Sequence, residues 1–134
     1  MNITLQDRSH YFRGLLLLIS MDRTIALPER RLLLRIGKAL DFERAFCEIA
    51  IDDILENRHI VREPPVFSSR ELAGKFILDG LTLAMADGEV HSEEVEWLSS
   101  VAGINSLETA WFEHEKRIHG RNTDDLEVDH LMVG

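Results

Sequence analysis

Cysteine, proline and glycine are scarce in this chain, whose 134 residues include one cysteine, three prolines and eight glycines. Because Cys47 has no second cysteine to pair with, an intramolecular disulfide is excluded. We expect instead a buried thiol on a helix of a cytoplasmic protein. Since residues that break helices are few, while Leu, Glu, Arg and Ala are common, the composition favours helices throughout.

A long apolar run and a targeting signal are also lacking. Residues 1–7 show no basic region followed by an apolar core, as a signal peptide would. The run Leu15–Ile19 is much shorter than the ~20 apolar residues that span a bilayer. We therefore expect no membrane-spanning segment, and the length is that of one domain with its own core.

Positive charge is scarce in the second half of the sequence. Residues 1–67 contain ten Lys or Arg and ten Asp or Glu, whereas residues 68–134 contain five against fourteen. The second half therefore accounts for the whole net charge of −9. This balance argues against a nucleic-acid partner, which needs a strongly basic surface, and favours cations or a basic protein.

The spacing of apolar residues predicts an all-α fold of six helices without a sheet. The predicted helices begin at or just after Asp7, Pro28, Asp41, Ser68, Ser92 and Ser106. The Asp and Ser residues that precede the last four are predicted N-caps, because short polar side chains accept the first backbone N–H groups. In the third helix we expect Phe46, Ile49 and Ala50 to face the core.

Two segments interrupt the helical pattern. Residues 56–67 contain a pair of adjacent prolines, which favours an extended backbone. We predict a linker there that lies across the domain and is pinned by Val66 and Phe67. Residues 121–134 are polar and acidic with few apolar anchors, so we expect a mobile tail after one helical domain over residues 1–120.

The two halves of the chain are related by an offset of 65 residues, between about residues 7–55 and 72–120. Core and cap residues recur together at this spacing, which is hard to obtain by chance. The matched pairs are Tyr11 and Phe76, Leu16 and Leu81, Leu18 and Leu83, Asp22 and Asp87, Ile25 and Val90, Glu29 and Glu94, Leu33 and Leu98, Ile36 and Val101, Phe42 and Leu107, and Phe46 and Trp111. We predict a helical bundle of two related three-helix repeats that share one core.

The stretch Leu78–Glu94 is the most distinctive part of the sequence. Apolar residues dominate as far as Met85, after which Asp87-Gly88 ends one helix and Ser92 begins another. Around this one turn the sequence crowds Asp87, Glu89, Glu93 and Glu94. Carboxylates without thiols favour a hard cation such as Ca²⁺, Mg²⁺ or Mn²⁺, with Asp87 and Glu94 as the main ligands and Glu89 beside them.

The known site that this turn resembles most is the EF-hand loop. With Gly88 at the invariant glycine, Val90 and Glu94 fall on the apolar and the bidentate acidic positions. Leu83 and Met85, however, occupy the first two positions that need oxygen ligands, which excludes an EF-hand. A short Asp-Gly turn with fewer protein ligands and more waters remains.

The motif Ala86-Asp87-Gly88-Glu89-Val90, followed by Glu94, Leu98 and Ala102, resembles the signature of the tellurite-resistance TerB-like family. The same domain type occurs in some membrane-anchored DnaJ-like co-chaperones. The resemblance covers roughly residues 5–120 and is strongest over residues 76–107. It implies an all-helical fold and binding of a divalent metal by acidic residues. It also implies association with stress-response or membrane-linked complexes, without a known catalytic activity.

The resemblance adds Asp79 to the predicted metal ligands, since the acidic positions of the family fall on Asp79, Asp87 and Glu94. Eight residues on an ideal helix place Asp79 about 80° around from Asp87, so its position is the least favourable. The first repeat departs from the motif, because Asp22 is followed by Arg23 and Thr24, whereas Asp87 is followed by a glycine and an acid. We therefore do not predict a second site there.

The acidic turn also has a purely structural interpretation. Asp87 can terminate a helix, and Glu93 and Glu94 can complement the dipole of the next helix without any metal. His91 is a further candidate ligand. A zinc pair of His114 and His119 is not predicted, since five-residue spacing does not put both imidazoles on one face. The sequence offers no Ser-His-Asp order, phosphate loop or cysteine cluster, so we do not predict an enzyme.

Two functions are consistent with the sequence. The first is a non-enzymatic TerB-like protein that binds a divalent cation and links metal or stress state to a protein partner. The second is a metal-independent interaction module, in which the acidic second half and a basic strip on the second helix dock partners by charge. The strip consists of Arg30, Arg31, Arg35 and Lys38. The sequence does not indicate an oligomeric state.

Overall fold

The structure is a computed structural model that describes residues 3–22, 24–57, 59–86 and 91–121. Within those ranges the regular elements are six α-helices and one 3₁₀ turn, Ser20–Asp22, with no strand. The helices are α1 Leu5–Ile19, α2 Leu27–Ala39, α3 Arg44–Glu56, α4 Arg70–Ala84, α5 Ser92–Ile104 and α6 Thr109–Arg121. The predicted all-α fold is confirmed. The predicted tail lies outside the described residues, apart from Arg121 at the end of α6.

The core is built mainly from α1 and α4, which are buried on more than one side. α1 buries an almost continuous run from Leu15 to Ile19, together with Tyr11 and Phe12. α4 buries Leu72, Phe76, Leu81 and Ala84, among others. A Cβ atom on Gly14 would lie 2.7 Å from the Phe76 ring, so a larger residue there would overpack the contact.

The described helices are too short or too polar to cross a membrane. The longest, α1 and α4, have 15 residues each, and each carries charged side chains.

The N-cap predictions for Asp41 and Ser106 are wrong. Both residues have a left-handed backbone, with φ of 68° and 62°, and follow the ends of α2 and α5. The next residue in each case closes the helix end, since Phe42 N donates to Gly37 O and the second half shows the same bond at Leu107. α3 begins after Glu43, which is its N-cap.

The prediction that Ser68 is the N-cap of α4 is wrong. Ser68 instead connects the start of α4 to the start of α1. The N-cap is Ser69, whose hydroxyl accepts the Leu72 N–H at 3.1 Å. Ser68 donates its N–H to Asp7 Oδ1 at 3.1 Å and its hydroxyl to Oδ2. Burial alone would raise the pKa of the Asp7 carboxyl, but the hydrogen bonds from Ser68 and Thr4 outweigh it and lower that pKa.

α3 packs with a different face inward from the one predicted. Its buried residues are Cys47, Ile51 and Ile54, whereas Phe46 and Ile49 are 53% and 62% exposed, and Ala50 is half-buried. The cause lies in α2, where a Cβ atom on Gly37 would be 2.4 Å from Cys47 Sγ. Because position 37 is glycine, α2 admits the Cys47 side of α3 at close range. The predicted burial of Cys47 is confirmed, and burial raises the pKa of its thiol.

The connecting segment, residues 59–69, has no regular structure and is held by side chains of α5. Trp97 donates its indole N–H to Arg62 O at 3.0 Å. Asn105 donates to Pro65 O at 2.8 Å and accepts the Phe67 N–H at 2.9 Å. Phe67 is buried as predicted, but Val66 is 55% exposed, so only one of the two predicted anchors is correct.

Helix lengths recur along the chain. α4, α5 and α6 each begin and end 65 residues after α1, α2 and α3, respectively. The left-handed Asp41 and Ser106 show the same offset, as do the capping hydroxyls of Thr4 and Ser69. This correspondence concerns helix bounds and caps. Superposition of the two halves remains a prediction.

Candidate functional site

Asp79, one of the four predicted ligands, lies inside the core of the bundle. Its exposed fraction is 0%, and the Tyr11 hydroxyl donates to Asp79 Oδ2 at 2.5 Å. The Tyr11 ring is packed edge-on against Phe67 and Phe76, at centroid distances of 5.8 and 5.4 Å. One carboxylate oxygen of Asp79 is therefore engaged by a side chain whose position is fixed by aromatic packing.

The Asp79 carboxylate also acts on Tyr11 electrostatically. Burial raises the pKa of the Tyr11 hydroxyl well above its ordinary value, and the nearby Asp79 charge and its hydrogen bond raise it further. The phenol therefore stays protonated and remains a donor over a wide range of pH.

Glu94, the second described ligand candidate, lies in the first turn of α5 and is 3% exposed. Its backbone N–H donates to His91 O at 3.1 Å. The matching residue of the first half, Glu29, is 6% exposed and accepts the Ala26 N–H at 3.0 Å. In the first half, then, a buried Glu at this helical position bonds the N-cap backbone and stabilises the helix start without a metal. The same purely structural role is the alternative for Glu94.

Asp79 and Glu94 lie on two helices that pack against each other, α4 and α5. A Cβ atom on Gly80 would be 2.7 Å from Leu98 Cδ2, so the backbones approach closely there. Leu98 follows Glu94 by one helical turn, about 6 Å along the axis. The two acids therefore lie on the same pair of helices. Glu94 is about one helical turn nearer than Asp79 to the connection between α4 and α5.

Asp87 and Glu89, the other two predicted ligands, lie outside the described residues. In the described part of the chain no group of three or more His, Cys, Asp or Glu side chains is arranged to hold a metal ion. The two acids that complete the predicted site are not in that part of the chain, so the metal site remains a prediction.

His91, the remaining candidate of the turn, is half-buried and is the N-cap of α5. The predicted cap, Ser92, is instead the first helical residue, one position later. A shift of one residue is common at a helix end, where the first turn frays.

The basic strip of α2 contains an ion pair to α3 and three side chains with exposed surface. Arg30 pairs with Asp52 of α3 at 3.2 Å, so it stabilises the contact between the two helices. Arg31, Arg35 and Lys38 are exposed along one side of α2. The ion-pair partner of Arg30 is thus on α3.

Two surface grooves are lined by residues of α1, α4, α6 and the segments next to them. The larger, about 440 Å³, runs between α1 and the connecting segment, with His10, Arg13 and Glu63 among its lining residues. The smaller, about 370 Å³, lies between α4 and α6 beside Trp111. Both have mixed polar and apolar linings.

Sequence reasoning missed Tyr11 and Asn105 as polar residues of the core region. Tyr11 was assigned to the apolar face of α1, and its hydroxyl was not paired with anything. A signal was present, because an Asp within the apolar helix α4 and a Tyr within an apolar run each need a buried partner. Asn105 had no comparable signal, since its partners are backbone atoms of the connecting segment.

Comparison of the chain with protein-family models, curated proteins and solved structures gives no match. The resemblance to the TerB-like family therefore depends on the sequence motif and remains a prediction.

Proposed function

We propose that this chain is a non-enzymatic, cytoplasmic helical module of the TerB-like type that binds a divalent cation at its acidic turn, residues 87–94. The observation that carries the proposal is the burial of Glu94, which is 3% exposed and directly follows the acid-rich turn in sequence. Withdrawing a carboxylate from water beside other carboxylates is unfavourable. A bound cation offsets that repulsion.

The described part of the TerB-like motif is compatible with this role. Glu94, Leu98 and Ala102 are spaced four residues apart and are all buried, so they form one inner stripe of α5. Leu98 packs on Gly80 and fixes α5 against α4. The apolar residues of the motif therefore set the helix so that Glu94 is at its inner side, next to the turn.

Ca²⁺, Mg²⁺ or Mn²⁺ is the cation class that this turn would select, because its donors are carboxylate and carbonyl oxygens. Asp87 and Glu94 are the proposed main ligands, with Glu89 in the same turn. Asp79 is the least available of the four, since Tyr11 holds one of its oxygens. A partial cage keeps several waters, so we expect a dissociation constant of ~10⁻⁵ to 10⁻³ M.

The finer architecture belongs to the same proposal. We infer two related three-helix repeats, and the common offset of 65 residues in helix bounds supports them. In the first repeat Arg23 follows Asp22 directly in the sequence, and we expect its positive charge to offset the charges of Asp22 and Glu29.

The proposed biological role is a link between metal or stress state, of the tellurite-resistance type, and a protein partner. Peripheral association with membrane-linked complexes is part of this role. It follows from the family resemblance alone.

Calorimetric titration of metal-free protein with Ca²⁺, Mg²⁺ and Mn²⁺ tests the proposal. We expect wild type to bind one of them in the range given above, and Asp87→Asn with Glu94→Gln to remove that binding. The helical circular dichroism should not change, because Gln retains an acceptor oxygen at the start of α5.

The matched control is Asp22→Asn with Glu29→Gln, which alters the corresponding positions of the first half and leaves the acidic turn intact. This control should bind metal like wild type. Equal uptake by wild type and the Asp87/Glu94 variant would refute the site.

The second candidate is the metal-independent interaction module, docking partners through its acidic and basic faces. The observation that favours it is the exposure of Arg31, Arg35 and Lys38 along α2. It is the function that would remain if the titrations show no specific uptake. Partner binding would then fall with added salt but would be unaffected by a chelator.

A further inference from the structure

One side of α3 presents an exposed stripe of apolar and acidic residues. Phe46 and Ile49 are more than half exposed at its centre. The stripe consists of Glu43, Phe46, Ile49, Asp53 and Glu56, all of which are exposed. Phe46, Ile49, Asp53 and Glu56 are three or four positions apart and share one face of α3, and Glu43 is the N-cap that precedes them. The buried Cys47, Ile51 and Ile54 hold a different face of α3 against the bundle.

The apolar centre of this α3 stripe is supported from behind. Phe46 stacks on Phe42 with ring centroids 5.3 Å apart, and Phe42 packs on the buried Phe12 at 5.9 Å. Three aromatic rings therefore connect the surface to the core. An exposed aromatic residue held in this way is already ordered, so a partner loses little conformational entropy by binding it.

The acids of the α3 stripe define the charge of its partner. In the described part of the chain, the α3 acids that form ion pairs are Asp52, with Arg30, and Glu48, with Arg44. Glu43, Asp53 and Glu56 form none within these residues, so three carboxylates border the apolar pair without a compensating cation. A partner with apolar anchors flanked by Lys or Arg would complement both features.

The chain itself does not offer such a partner in its C-terminal segment. Residues 122–134 contain four acids and no Lys or Arg, so the α3 stripe would repel them. The corresponding positions of α6 also differ, since Ile118 and Arg121 occupy the places of Asp53 and Glu56. The combination of apolar centre and acidic border therefore does not recur at the corresponding positions of α6.

We propose that the α3 stripe is a docking site for a basic amphipathic helix of another protein, which seats its apolar face on Phe46 and Ile49. Helix-on-helix recognition of this kind uses apolar anchors one turn apart, and the flanking charges set orientation and partner choice. The surface is separate from the acidic turn and does not depend on cation binding.

A fluorescein-labelled helical peptide with Leu on one face and Lys on its flanks is the probe. We expect anisotropy titrations to show saturable binding to the full chain in excess chelator. Phe46→Ser with Ile49→Ser should weaken it by about tenfold or more, as expected for two central anchors. The matched control is Leu27→Ser with Ile104→Ser, which removes two apolar residues of similar exposure, 58% and 52%, and should leave binding unchanged.

A second variant removes the charges without touching Phe46, whose packing on Phe42 contributes to the fold. Asp53→Lys with Glu56→Lys should weaken the peptide several-fold. The added cations lie at the end of α3, where they favour the helix dipole. Glu96→Lys with Glu108→Lys changes the net charge equally at two other exposed acids and should have a much smaller effect.

Equal losses in the α3 variants and their matched controls would overturn the proposal, since the peptide would then be attracted only by the overall negative charge. Absence of peptide binding would overturn it as well. Two further results would assign the stripe to another occupant. One is self-association, in sedimentation runs without peptide, that depends on Phe46 and Ile49. The other is binding to vesicles of phosphatidylcholine and phosphatidylserine that depends on the same two residues.

Discussion

At the scale of single residues, the buried pair Tyr11 and Asp79 is the main polar feature of the core. A carboxylate in an apolar interior is expensive unless it accepts hydrogen bonds, and the Tyr11 hydroxyl supplies one at 2.5 Å. Aromatic contacts with Phe67 and Phe76 fix the donor in place. The pair joins α1 to α4 and so connects the two halves of the chain.

Alkaline titration of Tyr11 tests this arrangement, because it is the only tyrosine of the chain and its ultraviolet signal needs no assignment. The pKa of Tyr11 is raised by burial and by Asp79. Its neutral form therefore stabilises the fold fully below the unfolded pKa of about 10, and this contribution is lost as the pH rises through the folded pKa. We expect no tyrosinate absorbance in native protein near pH 10, and a normal titration in concentrated urea.

Tyr11→Phe provides the control for that experiment. It should abolish the alkaline signal and destabilise the protein to urea by about 1–3 kcal/mol, since a buried acceptor loses its donor. Titration of native wild type near pH 10 with the helical dichroism intact would show that the hydroxyl is accessible to solvent, contrary to the structure.

At the scale of secondary-structure elements, helix existence was predictable and helix packing was less so. Strong apolar periodicity and few helix breakers define the six helices. Asp41 and Ser106 were assigned as N-caps because Asp and Ser are common there, but short polar residues also tolerate the left-handed backbone that ends a helix. Phe46 was assigned to the core by its hydrophobicity. The actual face of α3 is set by Gly37, a contact between helices that no pattern within α3 encodes.

The connecting segment depends most on Asn105, the C-cap of α5. Its side chain is 7% exposed and bonds Pro65 O, Val101 O and the Phe67 N–H. Asn105→Ala leaves Pro65 O and the Phe67 N–H without this partner, whereas Val101 O keeps the backbone N–H of residue 105. We expect the free energy of unfolding in urea to fall by about 2–3 kcal/mol.

Asn57→Ala is the matched comparison, since Asn57 is the C-cap of α3 but is exposed, and its side chain accepts the nearby His59 N–H. Its effect should be within about 0.5 kcal/mol, as is usual for surface positions. Similar effects of the two substitutions would mean that Asn105 does not hold the connecting segment in place.

At the scale of the whole molecule, the two halves of the chain have matching helices but very different net charges. The helices of the two halves have the same lengths, yet all of the net charge is in the second half. The sequence was sufficient to locate the acidic turn and the order of helices around it. It did not predict that Asp79 is engaged by Tyr11, because that contact joins residues 68 positions apart.

The proposed cation site is the central claim for the molecule as a whole. Paramagnetic Mn²⁺ tests it, because the ion reveals which residues lie near the place where it binds. Amide signals near a bound Mn²⁺ are broadened in nuclear magnetic resonance spectra of isotope-labelled protein. We expect substoichiometric Mn²⁺ to broaden first the end of α4 and the start of α5, including Met85 and Glu93. In the first half, Ser20, which corresponds to Met85, and Arg30, in the first turn of α2, should be much less affected.

In Asp87→Asn with Glu94→Gln, the same Mn²⁺ addition should leave the amides at the end of α4 and the start of α5 sharp. Broadening that is spread over exposed acids throughout the chain, or that persists unchanged in this variant, would contradict a specific site at residues 87–94.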